Sequence, residues 1–346
     1  MTKTVYVTIA CDTDPDRKRL LPETPDDSLR WRGLTEGIPA VKTAVRHLVD
    51  DSGRGPKFTW CLRVDHQVQK LHGSFEYVLT EHNALLKDVA ATGDELSWHP
   101  HFWRYDAEKK IWYQELNDKA WQVRMLEEAV AAYRRVFPDH PRTLRTGWDY
   151  HSPESFAAID KLGLEVDLSA VPSQETMPTN SEARSSNFYD WAVTPNEPYR
   201  PSRSDFRRAC KNGEQAYNIW EFPVFVSRSL LWGLIRGAVS ARRMKDPRKL
   251  WRGLLNPSYF ANITARPRLY SAIISQMRKE LAIRDKLYFV TFFHPDEVLP
   301  NVDPLYSLEN MRENLERLRA VAHRSGAKLE FVTARELKDR YVANLH

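Results

Sequence analysis

The chain is poor in cysteine, has no long apolar run and carries no strong charge bias, and each shortage narrows what it can be. Its three cysteines, Cys11, Cys61 and Cys210, are an odd number without paired spacing. That excludes a disulfide-stapled scaffold and fits a reducing compartment. No apolar stretch reaches membrane-spanning length, and no basic segment leads into an apolar one at the amino terminus, so the sequence predicts a cytoplasmic protein. The net charge of +5 is mild and mixed along most of the chain, which does not argue for nucleic acid as a partner. Finally, no Gly/Ser-rich linker, repeat or low-complexity tract divides the 346 residues, and this predicts a single domain over 1–346.

What is present is a series of short polar clusters, each placed straight after a strand-like apolar run. Asp12-Thr13-Asp14 follows Val5 to Cys11, His99-Pro100-His101 follows Glu95 to Trp98, and Arg145-Thr146-Gly147-Trp148 follows Arg142 to Leu144. Asp167 follows Leu164 to Val166, and His294-Pro295 follows Leu287 to Phe293. The two longest runs are rich in β-branched and aromatic residues, and helix-length segments separate the five, as expected of buried parallel strands. In parallel α/β folds the loops at the carboxyl ends of the strands line one mouth, so these clusters are expected to meet there.

Between them, Leu34–Val49, Phe75–Ala90, Asn117–Phe137, Pro153–Leu162, Leu269–Ile283 and Leu305–Ser325 have helical apolar spacing, and Lys57–Val64, Ala216–Phe222 and Lys328–Val332 read as further strands. Seven or eight βα units predict a distorted (β/α) barrel. Residues 172–213, rich in Pro, Ser, Asn and Arg, read as an irregular loop or lid.

The clusters carry the chemistry of a metal hydrolase. Asp12 and Asp14, at i and i+2 of an extended segment, point the same way and suit one metal ligand and one general base, although Asp-x-Asp-Pro-Asp alone is ordinary turn chemistry. His99 and His101 have the same spacing, and a carboxylate with two neutral imidazoles is a common open site for zinc or a similar divalent ion. Arg145 could hold a neighbouring carboxylate, and His294 could donate a proton to a leaving nitrogen. Asp167 orients His294, contacts substrate or caps a turn. Trp148 and Trp103 are candidates for substrate contact, and Arg63, beside Asp65, either contacts a glycan or forms an ion pair.

Taken in order, these motifs resemble the polysaccharide deacetylase (NodB-homology, carbohydrate esterase family four) family over about residues 4–296. The resemblance implies a NodB-like barrel and removal of an acetyl group from an N-acetylated amino sugar in cell-surface glycan synthesis, with a glycan or activated sugar as substrate. It implies Asp12 as base, Asp14, His99 and His101 as ligands to a divalent metal, most simply zinc, Arg145 as the holder of the base and His294 as the acid. Thr13 splits the family's adjacent aspartates, a single residue separates the histidines where the family has three, and Arg145-Thr146-Gly147-Trp148 stands for its Arg-Pro-Pro-Tyr. The base and ligand roles of Asp12 and Asp14 are therefore interchangeable at this point. Hydrolysis of another linear or cyclic amide, or a catalytically silent glycan-binding barrel, are the rival functions.

One further segment stands out. Residues 227–255 carry eight Lys and Arg against a single acid, Asp246. Leu230, Leu231, Leu234, Ile235, Ala238 and Val239 form an apolar face if the segment is helical. Such a helix either packs this face on the barrel, leaving its arginines solvated, or makes peripheral contact with an anionic membrane.

Overall fold

A strand buried on both faces and paired on both edges must be a central one, and β1 (Lys3–Thr13), buried from Thr4 onward, is that strand. The computed structural model describes residues 3–16, 30–174, 190–231, 262–300 and 305–345, together with 233, 234, 238, 241, 242, 247, 248, 250, 251 and 258–260. In chain order its strands are β1, β2 (Phe58–Leu62), β3 (Glu95–Trp98), β4 (Trp103–Asp106), β5 (Ile111–Gln114), β6 (Thr143–Leu144) and β7 (Val166–Asp167). After these come β8 (Pro201–Ser202), β9 (Asp205–Ala209), β10 (Trp220–Glu221), β11 (Ser227–Arg228), β12 (Ser258–Tyr259), β13 (Lys286–Phe293) and β14 (Ala327–Phe331).

Eight of these strands form one curled parallel sheet in the order β10-β7-β6-β3-β2-β1-β13, with β14 also paired to β1. Along β1 the partners change: Lys3–Val7 pairs with β14 and Ile9–Thr13 with β2, while β13 runs beside Thr4–Cys11. The curl nearly closes. The chain beyond β10 bridges the two edges, with Val224 N–H donating to Ala170 C=O and Phe225 N–H to Val290 C=O. This is the distorted eight-stranded (β/α) barrel that the strand count predicts.

The period of two in β1 separates its two environments. Val5, Val7, Ile9 and Cys11 pack in the larger core with the surrounding helices, whereas Tyr6 and Ala10 join Cys61, Val166, Leu168, Phe222, Val224, Val290 and Phe292 in a second cluster. The helices are α1 (Ile38–Val45), α2 (His66–His72), α3 (Tyr77–Glu81), α4 (Asn83–Ala91), α5 (Lys119–Val136), α6 (Pro153–Lys161), α7 (Pro267–Ile283), α8 (Leu308–Arg324) and α9 (Ala334–Ala343). α5 starts at an Asp118 cap and stops before Pro138, burying Met125, Leu126, Ala129, Val130 and Tyr133 as its spacing predicts. α9 closes the amino-terminal end of the barrel: its Leu337 lies in the second cluster, Ala334 N–H donates to Thr59 Oγ1 and Arg335 N–H to Glu95 Oε2.

Three segments differ from expectation. Leu34–Val49 is not one helix but a π-type turn at Gly33–Gly37 followed by α1, because Gly33 and Gly37 sit against the backbone of Pro295 and Asp296, where a Cβ would come within 2.7 and 2.4 Å. Phe75–Ala90 breaks at His82, whose φ of −108° leaves the helical region. Residues 172–213 include the β8–β9 hairpin, and residues 175–189 lie outside the described residues.

Candidate active site

The strand ends deliver their side chains to one point. Asp12 shares the inward parity of Tyr6 and Ala10. The chain then turns, Asp14 N–H donating to Asp12 C=O at 2.8 Å. His99 continues the sheet for one residue, its N–H donating to Leu62 C=O, and Arg145 does the same on Trp98 C=O. His101 is set by a carboxylate instead: its N–H donates to Asp65 Oδ2 at 3.0 Å. Asp65 also caps α2, accepting from Gln67 and Val68 N–H.

Asp14, His99 and His101 bring one ligand atom each within 4.8 Å of one another. The two Nε2 atoms are 3.1 Å apart, and His101 Nε2 is 3.3 Å from Asp14 Oδ1. Metal–ligand bonds of about 2.0–2.1 Å in a tetrahedron put ligand atoms about 3.3 Å apart, so this spacing fits a small divalent ion. The tautomers fit as well. His99 Nδ1 lies 2.6 Å from Arg145 C=O, which can only accept, so Nδ1 carries the proton and Nε2 presents its lone pair. Burial, reinforced by the nearby Arg63, pushes the His101 imidazole down to about 4, which keeps it neutral near pH 7. Asp14 is held well below the usual carboxylate range: burial alone would raise it, but His101 and His99 outweigh that.

Asp12 is placed differently. Arg145 Nε donates to its Oδ2 at 3.0 Å, whereas buried Oδ1 has no hydrogen-bond partner among the described residues. Burial alone would raise this carboxyl, yet Arg145, then His99 and His294, bring it below its ordinary value. Arg145 is itself fully engaged, donating to Leu168 C=O at 2.7 Å, pairing with Asp149 at 2.9 Å and lying 4.4 Å over the Phe292 ring. To present Asp149 the chain takes left-handed conformations at Trp148 (φ +58°) and Asp149 (φ +54°), which cost energy in residues other than glycine. Gly147 just before them is required for space: a Cβ there would lie 2.2 Å from the His101 ring.

His294 faces the aspartates from the end of the neighbouring strand β13, its Nε2 3.7 Å from Asp14 Oδ2 and 3.9 Å from Asp12 Oδ2. Its other nitrogen is 3.2 Å from Glu297 Oε1, and its own N–H donates to Glu297 Oε2. Glu297 is fixed in turn by Asn262 Nδ2 and by Thr264 Oγ1 at 3.1 Å.

Asp12, Asp14, His99, His101, Arg145 and His294 are thus brought together, and the other four candidates lie as follows. Asp167 does not orient His294. It lies 2.9 Å from His151 Nε2 and accepts from Ser169, with the fully buried Glu221 beside it. Burial and the Asp167 charge push Glu221 well above its ordinary value. Arg63 is buried and forms the ion pair with Asp65, and it also donates to Gln67 and, at 2.6 Å, to Asp14. Trp103 is buried and stacked near His101 at 6.1 Å. Trp148 is half-buried.

Asp149, His151 and Glu297 were not singled out from sequence. Of these only Glu297 leaves a signal: His294-Pro295-Asp296-Glu297 has the spacing of a capping box, which it forms.

No protein-family model matches the chain, and no curated protein sequence does either. Solved structures do. A candidate glycoside hydrolase/deacetylase from Parabacteroides distasonis is 12% identical with a TM-score of 0.52, covering 98% of this chain and 71% of its own. A candidate polysaccharide deacetylase from Mycobacterium smegmatis is 14% identical with a TM-score of 0.48, covering 99% and 92%. At the identity and TM-score of the Parabacteroides protein, what the two chains share is the fold.

Proposed function

We propose that the protein is a metal-dependent hydrolase that removes the acetyl group from an N-acetylated amino sugar during the synthesis of a cell-surface glycan. One observation carries this reading: a three-donor cluster at ligand spacing lies beside both a carboxylate held by an arginine and an imidazole held by a glutamate. Asp14, His99 and His101 would hold the ion, zinc by the nature of the donors, with positions left open. Zinc bound there supplies a Lewis acid for the acetamide carbonyl and lowers the pKa of water.

The chain's own residues divide the proton transfers. Asp12 takes the proton of the attacking water on Oδ1, because Oδ2 is occupied by Arg145, and Arg145 keeps it ionised and oriented. The water oxygen joins the carbonyl carbon, the C–N bond breaks, and the departing sugar nitrogen receives a proton from His294 Nε2. Glu297 orients that ring through Nδ1. Acetate and the free amine are the products. Trp148 is the candidate for contact with the sugar ring. The three free thiols support a cytoplasmic setting, where an activated sugar is the form of substrate expected.

The test is metal analysis of the purified protein together with acetate release from a panel of N-acetylated sugars and simple acylamides. One equivalent of metal, with release abolished by chelation and restored by zinc, is the expected result. Release from the acylamides alone would transfer the assignment to another amide. A protein with no metal, no gain in Tm on adding zinc and no acetate release would be a silent barrel.

A further inference from the structure

We propose that the face formed around residues 228–251 rests on the anionic surface of a phospholipid bilayer. Among the described residues ten large apolar side chains stand 37% or more exposed, and half of them, Leu230, Leu231, Leu234, Leu250 and Trp251, fall within this one stretch. Leu230, Leu231 and Leu234 are spaced to share one side of a helix. A helix covering the barrel would bury them, yet Leu230 and Leu231 are 64% and 65% exposed and Trp251 is 68% exposed. Clustered apolar exposure of this kind marks a contact surface.

The charge around it says what the contact is. Arg228, Arg242 and Arg248 are exposed on the same stretch, and residues 227–255 hold eight basic groups against one acid. Cations interleaved with leucine and tryptophan match a bilayer interface, where aliphatic side chains enter the headgroup region, tryptophan sits at its level and Lys/Arg meet the anionic lipids. A nucleic acid would meet the same cations but leave the leucines in water.

The stretch is also fastened at its base. Ser227–Arg228 pairs antiparallel with Ser258–Tyr259, Val224 and Val226 lie in the second cluster, and Tyr259 packs against the larger core. Three residues past Tyr259, Asn262 bonds Glu297, the partner of His294. A bilayer-seated face is therefore joined through a few residues to the wall of the active site. The proposal does not depend on the metal assignment.

Full-length protein is sedimented with vesicles of phosphatidylcholine alone and of phosphatidylcholine with phosphatidylglycerol, at low and high salt. Binding to the anionic vesicles at low salt, loss at high salt and little binding to neutral vesicles are expected. Two exposed pairs separate this from general attraction of a basic protein. Arg242→Glu/Arg248→Glu, and Leu231→Ser/Trp251→Ser, which leaves the charge unchanged, should each lower the bound fraction by about tenfold or more, with circular dichroism unchanged. Protein that stays in the supernatant with anionic vesicles at low salt overturns the proposal. So does binding that Leu231→Ser/Trp251→Ser leaves intact, or a duplex oligonucleotide that displaces the vesicles.

Discussion

His99 and His101 on one side of the mouth and His294 on the other are the same residue type in opposite settings. The pair is buried, 3% and 8% exposed in the side chain, with one ring donating to a backbone carbonyl and the other pushed down to about 4. Both turn an Nε2 toward Asp14. His294 is 18% exposed and its Nδ1 faces a carboxylate, Glu297. On the proposed reading, ligand and acid are distinguished by what sits behind each imidazole, not by the imidazole. The two aspartates divide in the same way: Asp14 leans on Arg63 and faces the pair, while Asp12 is gripped by Arg145.

The largest effect should come from breaking the ligand side. His101→Ala or His99→Ala should lose stoichiometric metal and lower acetate release on the order of a thousandfold or more, the fold retained by circular dichroism. Unchanged metal in both variants would remove the cluster from consideration. His294→Ala should keep its metal and lose on the order of a hundredfold in rate. If metal leaves with the ring, His294 is a ligand and the contrast collapses.

A smaller effect sharpens the geometry. Gly147→Ala puts a methyl group 2.2 Å from the His101 ring and should weaken metal affinity roughly ten- to a hundredfold, read by competition with a chelator. Smallest is a pH dependence. His101 titrates near about 4 when folded against an ordinary 6.5, so between these values only the unfolded chain takes up its proton. Stability of the metal-free protein should therefore be highest above about pH 6.5 and fall as the pH drops toward 4, by at most about 3 kcal/mol from this residue. Asp14, also depressed when folded, extends the loss to lower pH. In His101→Asn the part of the slope between pH 6.5 and 4 should shrink, as measured by urea midpoints.

The strand-end clusters were legible because β1 and β13 are long apolar runs whose ends are abrupt, and because His99 and His101 keep one parity through Pro100. Asp167 shows the limit. Strand order places it next to the mouth, but β7 is two residues long and His151, from the loop after Arg145, takes its carboxylate. Nothing local in the sequence announces that pairing. Asn262 is likewise set by the return of the chain beside Phe292, with Ile263 N–H donating to Phe292 C=O, a contact between segments some thirty residues apart. The different settings of Asp12 and Asp14 depend on Arg145 and Arg63, each from a different strand end. The basic segment shows the same limit. Its composition permits either a packed helix or a free face, and only the exposure of Leu230, Leu231 and Leu234 separates the two; Ile235 and Val239 lie outside the described residues.

Anomalous diffraction at the zinc edge, on crystals of protein grown with one equivalent of zinc, decides whether the cluster is a metal site. A single peak bounded by Asp14, His99 and His101, with Asp12 Oδ1 and His294 Nε2 facing it from outside the ligand set, is the predicted result. Zinc held by other residues, or no peak at these three while the protein releases acetate, would contradict it.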